Sequence, residues 1–262
     1  MNLVKSEFLK LAYQRRTWGL LAAAIFLAVI STALSPYAIV RVQSVIKMPL
    51  SYADTIDGIY SKSLAAYILA LVLGIVIMSS EFQHHTAIAT FLATPNRLQV
   101  LSAKLITAAF WGAGFNVVAT GLGMLSGKIA LGFFSNVAEP HSYIFVNYLA
   151  AAALIGAVLG VVGASIGTLI RNQNAAVAIG LVWFQVLDRI LMLVWPEGGK
   201  YMASGLITGM MQLHLNVKDK TTGLGINSAD YLDPLPAAGM LLLYAVVFAV
   251  VAIATSLRRD ID

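Results

Sequence analysis

Six stretches of this chain run without a charged side chain for about the thickness of a bilayer, and they restrict its fold more than any other feature. They are residues 17–40, 63–80, 105–127, 142–170, 172–187 and 234–257, against the ~20 apolar residues that cross the hydrocarbon core at about 1.5 Å each. The fifth is short unless it passes Asp188 and Arg189 and ends near Trp195. Inside hydrocarbon every backbone N–H and C=O must bond within the protein, which leaves helices or a closed barrel. None of the runs alternates polar and apolar residues as a barrel strand does. The sequence therefore predicts a single all-α integral membrane domain over residues 1–262, with six transmembrane helices. Charged residues make up only 11% of the chain, where soluble domains carry about 25%. The first apolar run is too long for a signal peptide and lacks a cleavage pattern.

Six spans put both termini on one side. That side carries Lys5, Lys10, Arg15, Arg16, Arg97, Lys104, Arg171, Arg258 and Arg259, set on short connections and close to the span ends. There they exert the positive-inside bias, which predicts cytoplasmic termini. Its acids are Glu7, Glu81, Asp260 and Asp262, so the chain's entire net charge of +5 falls there. The basic balance thus reports membrane topology and not nucleic-acid binding.

Ahead of the first span, "MNLVKSEFLKLAYQRR" reads as an amphipathic interfacial helix, with Val4, Phe8 and Leu11 on one face. Between the fifth and sixth spans, "YMASGLITGMMQLHL" is apolar but too short to cross, as a re-entrant or interfacial outer segment would be. In the fourth span Gly156, Gly160, Gly163 and Gly167 share one helix face. Such small residues let helices approach closely in lipid, either within the chain or at a dimer seam.

Little in the chain suggests chemistry. There is no cysteine, hence no disulfide, thiolate metal site or cysteine nucleophile. "GMLSGK" imitates a phosphate-binding loop, but Leu122 occupies its first glycine position and Ile129 its magnesium-binding hydroxyl position. The histidines are His84, His85, His141 and His214. Neighbouring helical residues diverge by ~100°, no His-Glu-x-x-His occurs, and the last two lie across the membrane, so no metal site is expected. Asp188 and Arg189 are the charges set deepest in a span. They either line an outward-facing cavity or anchor at the interface.

One polar island, "EFQHHTAIATFLATPNR", separates the second and third spans. Together with three other segments it is similar to a known family, the integral membrane permease subunits of the second class of ABC exporters. "KSEFLKLAYQRRTWGLL" resembles that family's opening, and "SSEFQHHTAIATFLATPNRLQVLSAKL" its first cytoplasmic loop. "IRNQNAAVAIGLVWFQVL" resembles its turn between spans four and five, and "LLLYAVVFAVVAIATSLRRDID" its closing span. Glycine often follows the acid in that loop, where this chain has His84 and His85.

The resemblance implies a second permease subunit, identical or different, and separately encoded cytoplasmic ATP-binding subunits that hold ATP and magnesium. This chain then binds no cofactor of its own. The island becomes a coupling helix whose contacts to the ATPase come from Glu81, Phe82, His84, His85, Thr86, Thr90 and Arg97. The implied setting is the plasma (inner) membrane of a prokaryote. The apolar, sparsely charged interior suits a hydrophobic drug, a lipid or an amphipathic peptide equally as cargo. Two other classes compete: a self-sufficient channel or secondary transporter, and, more weakly, an intramembrane hydrolase. The former calls for midplane charges or broken helices in matching halves, the latter for converging catalytic groups.

Overall fold

A computed structural model describes residues 2–46, 59–60, 66–83, 96–133, 142–170, 172–210 and 231–258. Among them every regular element is helical. In chain order these are α1 (Asn2–Tyr13), α2 (Arg15–Ile46), α3 (Tyr67–Gln83), α4 (Arg97–Leu131), α5 (Ser142–Leu169) and α6 (Gln173–Leu181). After them come α7 (Asp188–Val194), α8 (Pro196–Gly199), α9 (Ala203–Met210) and α10 (Pro234–Arg258). A π-helical turn, Val182–Leu187, joins α6 to α7. The fifth span therefore does run past Asp188 and Arg189, and it ends at Trp195, whose φ of −133° and ψ of 77° leave the helical region.

Five helices among the described residues are long and apolar enough to cross a membrane, and the apolar part of α3, Tyr67–Ser80, is shorter. The chain is an all-α integral membrane protein. The number six for the spans rests on α3, whose approach through residues 61–65 lies outside the described part.

Helix α3 occupies the centre. From Ala66 to Ser79 every residue except Leu69 is buried, as its uninterrupted apolar run from Tyr67 to Met78 requires of a helix apolar all round. Gly163 and Gly167 of α5 abut Leu71 and Ile75 of α3, so those two helices run parallel. Gly156 and Gly160 abut Gly112 and Ala108 of α4, which runs antiparallel to them. Helix α2 packs beside α4, where Ser126 donates to the Val29 carbonyl at 3.2 Å.

Two local devices keep backbone groups satisfied. Pro36 sits inside α2 and cannot donate to the carbonyl of Thr32, four residues back. The buried Ser35 hydroxyl donates to that carbonyl instead, at 2.7 Å. At helix starts, the side chains of Asn96 and Asn172 accept from the backbone N–H of Gln99 (3.3 Å) and of Asn174 (3.0 Å). Both occupy the N-cap position, where a short polar side chain is favoured.

Candidate functional site

The polar island is divided by the limits of the described chain. Glu81 and Phe82 belong to the last turn of α3, which ends at Gln83. His84, His85, Thr86 and Thr90 lie outside the described residues, as do His141 and His214. Arg97 is the first residue of α4, directly after the Asn96 cap. From there α4 continues without interruption for 35 residues, about 52 Å at 1.5 Å per residue.

Two turns into α4, Lys104 is 1% exposed, and its Nζ donates to Glu7 Oε2 at 2.8 Å. Glu7 belongs to α1, and its side chain is 12% exposed. Next to it on the same face of α1, Leu11 is buried in a cluster with Leu101, Leu105 and Ala108 of α4. Aromatic rings extend the contact: Phe8 and Trp111 lie 5.0 Å apart, and Trp18 meets Trp111 edge-on at 6.5 Å. The Trp18 indole donates to the Ala12 carbonyl at 2.7 Å, closing the α1–α2 corner. The N-terminal helix is thus fixed to the third span by a buried charge pair and by packing, beyond what amphipathic character supplies.

In the sequence, Glu7 and Lys104 enter the charge balance and the two quoted segments that resemble the family, but nothing there joins them to each other. A signal is present all the same, because Glu7 falls at i+3 from Val4 and i−4 from Leu11, within the apolar face. An acid in such a face needs a buried cation.

At the opposite end, the fifth span separates its two neighbouring charges. Asp188 is 2% exposed, and its Oδ2 accepts the Ser204 backbone N–H at 2.9 Å. It thereby serves the first turn of α9, whose N-terminal N–H groups have no intrahelical acceptor. Arg189 points outward and is exposed. The segment after Trp195 folds back into the bundle. Tyr244 donates its hydroxyl to the Tyr201 carbonyl at 2.6 Å, and Gly209 then abuts the Leu232 carbonyl. Tyr244 is about 15 Å along α10 from Pro234, and Asp188 about 10 Å from Trp195, so each of the two helices holds this segment from a residue well inside its end. Among the described residues, α9 is mostly buried.

The four glycines of α5 divide their face between two partners. A methyl group on Gly156 or Gly160 would strike the α4 carbonyls of Gly112 or Ala108, and one on Gly163 or Gly167 would strike the α3 carbonyls of Leu71 or Ile75. Both sets are intramolecular. Close by, Asn116 donates to the Ala152 carbonyl at 2.9 Å, tying α4 to α5.

These features describe a tightly packed helical bundle with a long helix emerging from a polar connection, and, among the described residues, no cluster of three or more His, Asp or Glu side chains that could hold a metal ion. A family model described as "ABC-2 family transporter protein" matches residues 3–186, from α1 into the π-helical turn. No curated protein matches the chain.

Proposed function

Because the chain belongs to the ABC-2 family of transporter proteins, and so is a membrane transport subunit that is not itself catalytic, we propose that it forms half of the membrane pathway of an ATP-driven exporter. A second permease copy or homologue forms the other half. A separate cytoplasmic subunit binds ATP and magnesium and hydrolyses the nucleotide. The termini and the island from Glu81 to Arg97 face that subunit, in the plasma membrane of a prokaryote. The cargo is a hydrophobic drug, a lipid or an amphipathic peptide.

One observation carries this reading: α4 begins at Arg97, in the connection assigned to the ATPase, and continues unbroken to Leu131. A displacement applied at its first turn travels as rigid-body motion, because a helix transmits strain along its hydrogen bonds instead of bending at a hinge. Helix α4 packs against α5 through paired glycines and against α1 through Lys104, so these elements move with it. ATP-driven closure of the partner would then tilt the third span and its attached neighbours, exposing the pathway to the other side.

The chain is suited to a cysteine-labelling test because it contains no cysteine. Cysteines placed at Ser6, Thr90 and Asn172 resist an impermeant thiol reagent in intact cells, whereas those at Ser51 and Thr222 react. External labelling at position 90 would remove the island from the ATPase and refute the coupling role.

A further inference from the structure

The exposed faces of the spans differ in chemistry. Through their middles, α2 presents Phe26 and Leu34, α4 presents Phe110 and Leu125, and α10 presents Val246 and Val250. These surfaces are apolar, as contact with lipid tails requires. The fifth span also exposes Ile179, Trp183, Leu187 and Ile190, but in this apolar surface stand Gln185 and Arg189, four residues apart and so about one turn above each other, with Val182 and Val186, likewise four apart, beside them. Gln185 lies about 15 Å along the helix from Trp195, and Arg189 about 9 Å. An arginine can extend its head toward the interface over that distance, but a glutamine cannot. Hydrocarbon would leave the Gln185 amide unsolvated, so this face is turned toward something polar.

The charge identifies the kind of group. The carboxylate nearest in sequence, Asp188, is buried and directed at the Ser204 backbone. Among the described residues, no ion pair or hydrogen bond engages the Arg189 side chain. A second copy seated two-fold on the centre of this face would bring Arg189 toward its own equivalent, which adds a like charge. Gln185 belongs to the π-helical turn Val182–Leu187, and such wide turns concentrate at functional sites.

We propose that this face binds the anionic group, phosphate or carboxylate, of an amphiphile carried by the transporter. Arg189 supplies the charge and a forked donor, Gln185 donates from one turn deeper, and Val182 and Val186 border the apolar tail. The transport part of the proposal rests on the permease reading; the binding part does not.

The test uses the full chain in phosphatidylcholine nanodiscs, titrated with dodecyl phosphate. Saturable binding is expected, weakened about tenfold or more by Arg189→Gln, as loss of a charge-assisted hydrogen bond predicts. Gln185→Leu weakens it less, and Arg189→Lys retains most of it, which keeps the proposal open to test if Arg189→Gln fails to fold. Dodecyltrimethylammonium and inorganic phosphate do not bind. Displacement by added phosphatidylglycerol supports the proposal with a bilayer lipid as the source, and its absence supports it with a single-chain source. The proposal is overturned by binding that survives Arg189→Gln, as when the arginine merely reaches headgroups. Equal binding of the cationic amphiphile or of inorganic phosphate also overturns it. The assay contains no ATPase, so its failure leaves the permease reading intact.

Discussion

Lys104 Nζ lies 2.8 Å from Glu7 Oε2, joining residues 97 positions apart in the chain, and this pair fixes the N-terminal helix to the third span. Removing one partner leaves a buried charge uncompensated, at a cost of about 3–5 kcal/mol. Glu7→Lys and Lys104→Glu each lower the thermal stability of the purified chain. The exchange Glu7→Lys with Lys104→Glu recovers most of the loss. If the double variant loses the sum of the single effects, the pair is not coupled.

Gly163 and Gly114 offer a matched comparison. A methyl on Gly163 strikes the Leu71 carbonyl of α3, whereas one on Gly114 meets nothing within 4 Å. Gly163→Ala reduces the yield of folded chain. Gly114→Ala is neutral or stabilises slightly, since alanine exceeds glycine in helix propensity by about 1 kcal/mol. Size-exclusion profiles of the two variants distinguish them, and equal behaviour would contradict the packing account.

Ser35 acts through Pro36. Ser35→Ala leaves the Thr32 carbonyl without the donor it has at 2.7 Å, which costs about 1–3 kcal/mol for a buried group. Pro36→Ala on the same background restores a backbone N–H to that carbonyl and returns the stability. A double variant as unstable as Ser35→Ala would show that the hydroxyl serves another purpose.

Asp188 holds the first turn of α9. Asp188→Ala removes this cap and costs about 0.5–2 kcal/mol, while Asp188→Asn keeps an acceptor oxygen and most of the stability. Hydrogen exchange at the Ser204 amide reads the effect directly: fast exchange in the alanine variant alone is expected. Unchanged exchange would dissociate Asp188 from α9.

The spans were legible in the sequence because hydrocarbon tolerates few charges, and a charge-free run as long as 17–40 or 234–257 suits little besides a membrane-crossing helix. Passage of the fifth helix beyond Asp188 was legible for the same reason, since 172–187 alone is too short. Pairings across the bundle were not. The spacing of Gly156, Gly160, Gly163 and Gly167 defines a face, but helical periodicity does not reveal that α4 takes one half and α3 the other. Likewise, Asp188 stood out as a charge in a span, while its acceptor role depends on a backbone N–H in a segment that folds back from beyond Trp195. A positive-inside count does not join Glu7 to Lys104, because it treats each charge separately. Only the position of Glu7 in an apolar face hinted that it has a partner.

The central claim is that the connection running from Glu81 into α4 couples this permease to a separate ATPase, and Arg97 at the start of α4 offers the most direct test. The tagged chain is extracted from its native membranes in mild detergent, and Mg·ATP hydrolysis is measured in the eluate alongside mass identification of co-eluting subunits. The account predicts that wild-type chain elutes with a stoichiometric ATP-binding subunit. Arg97→Glu chain inserts normally but loses most of that subunit or its coupled hydrolysis, as expected when a charge at a docking surface is reversed. A wild-type chain that elutes without an ATPase, or an Arg97→Glu variant together with a Glu81→Ala variant that both retain full assembly and transport, would contradict it.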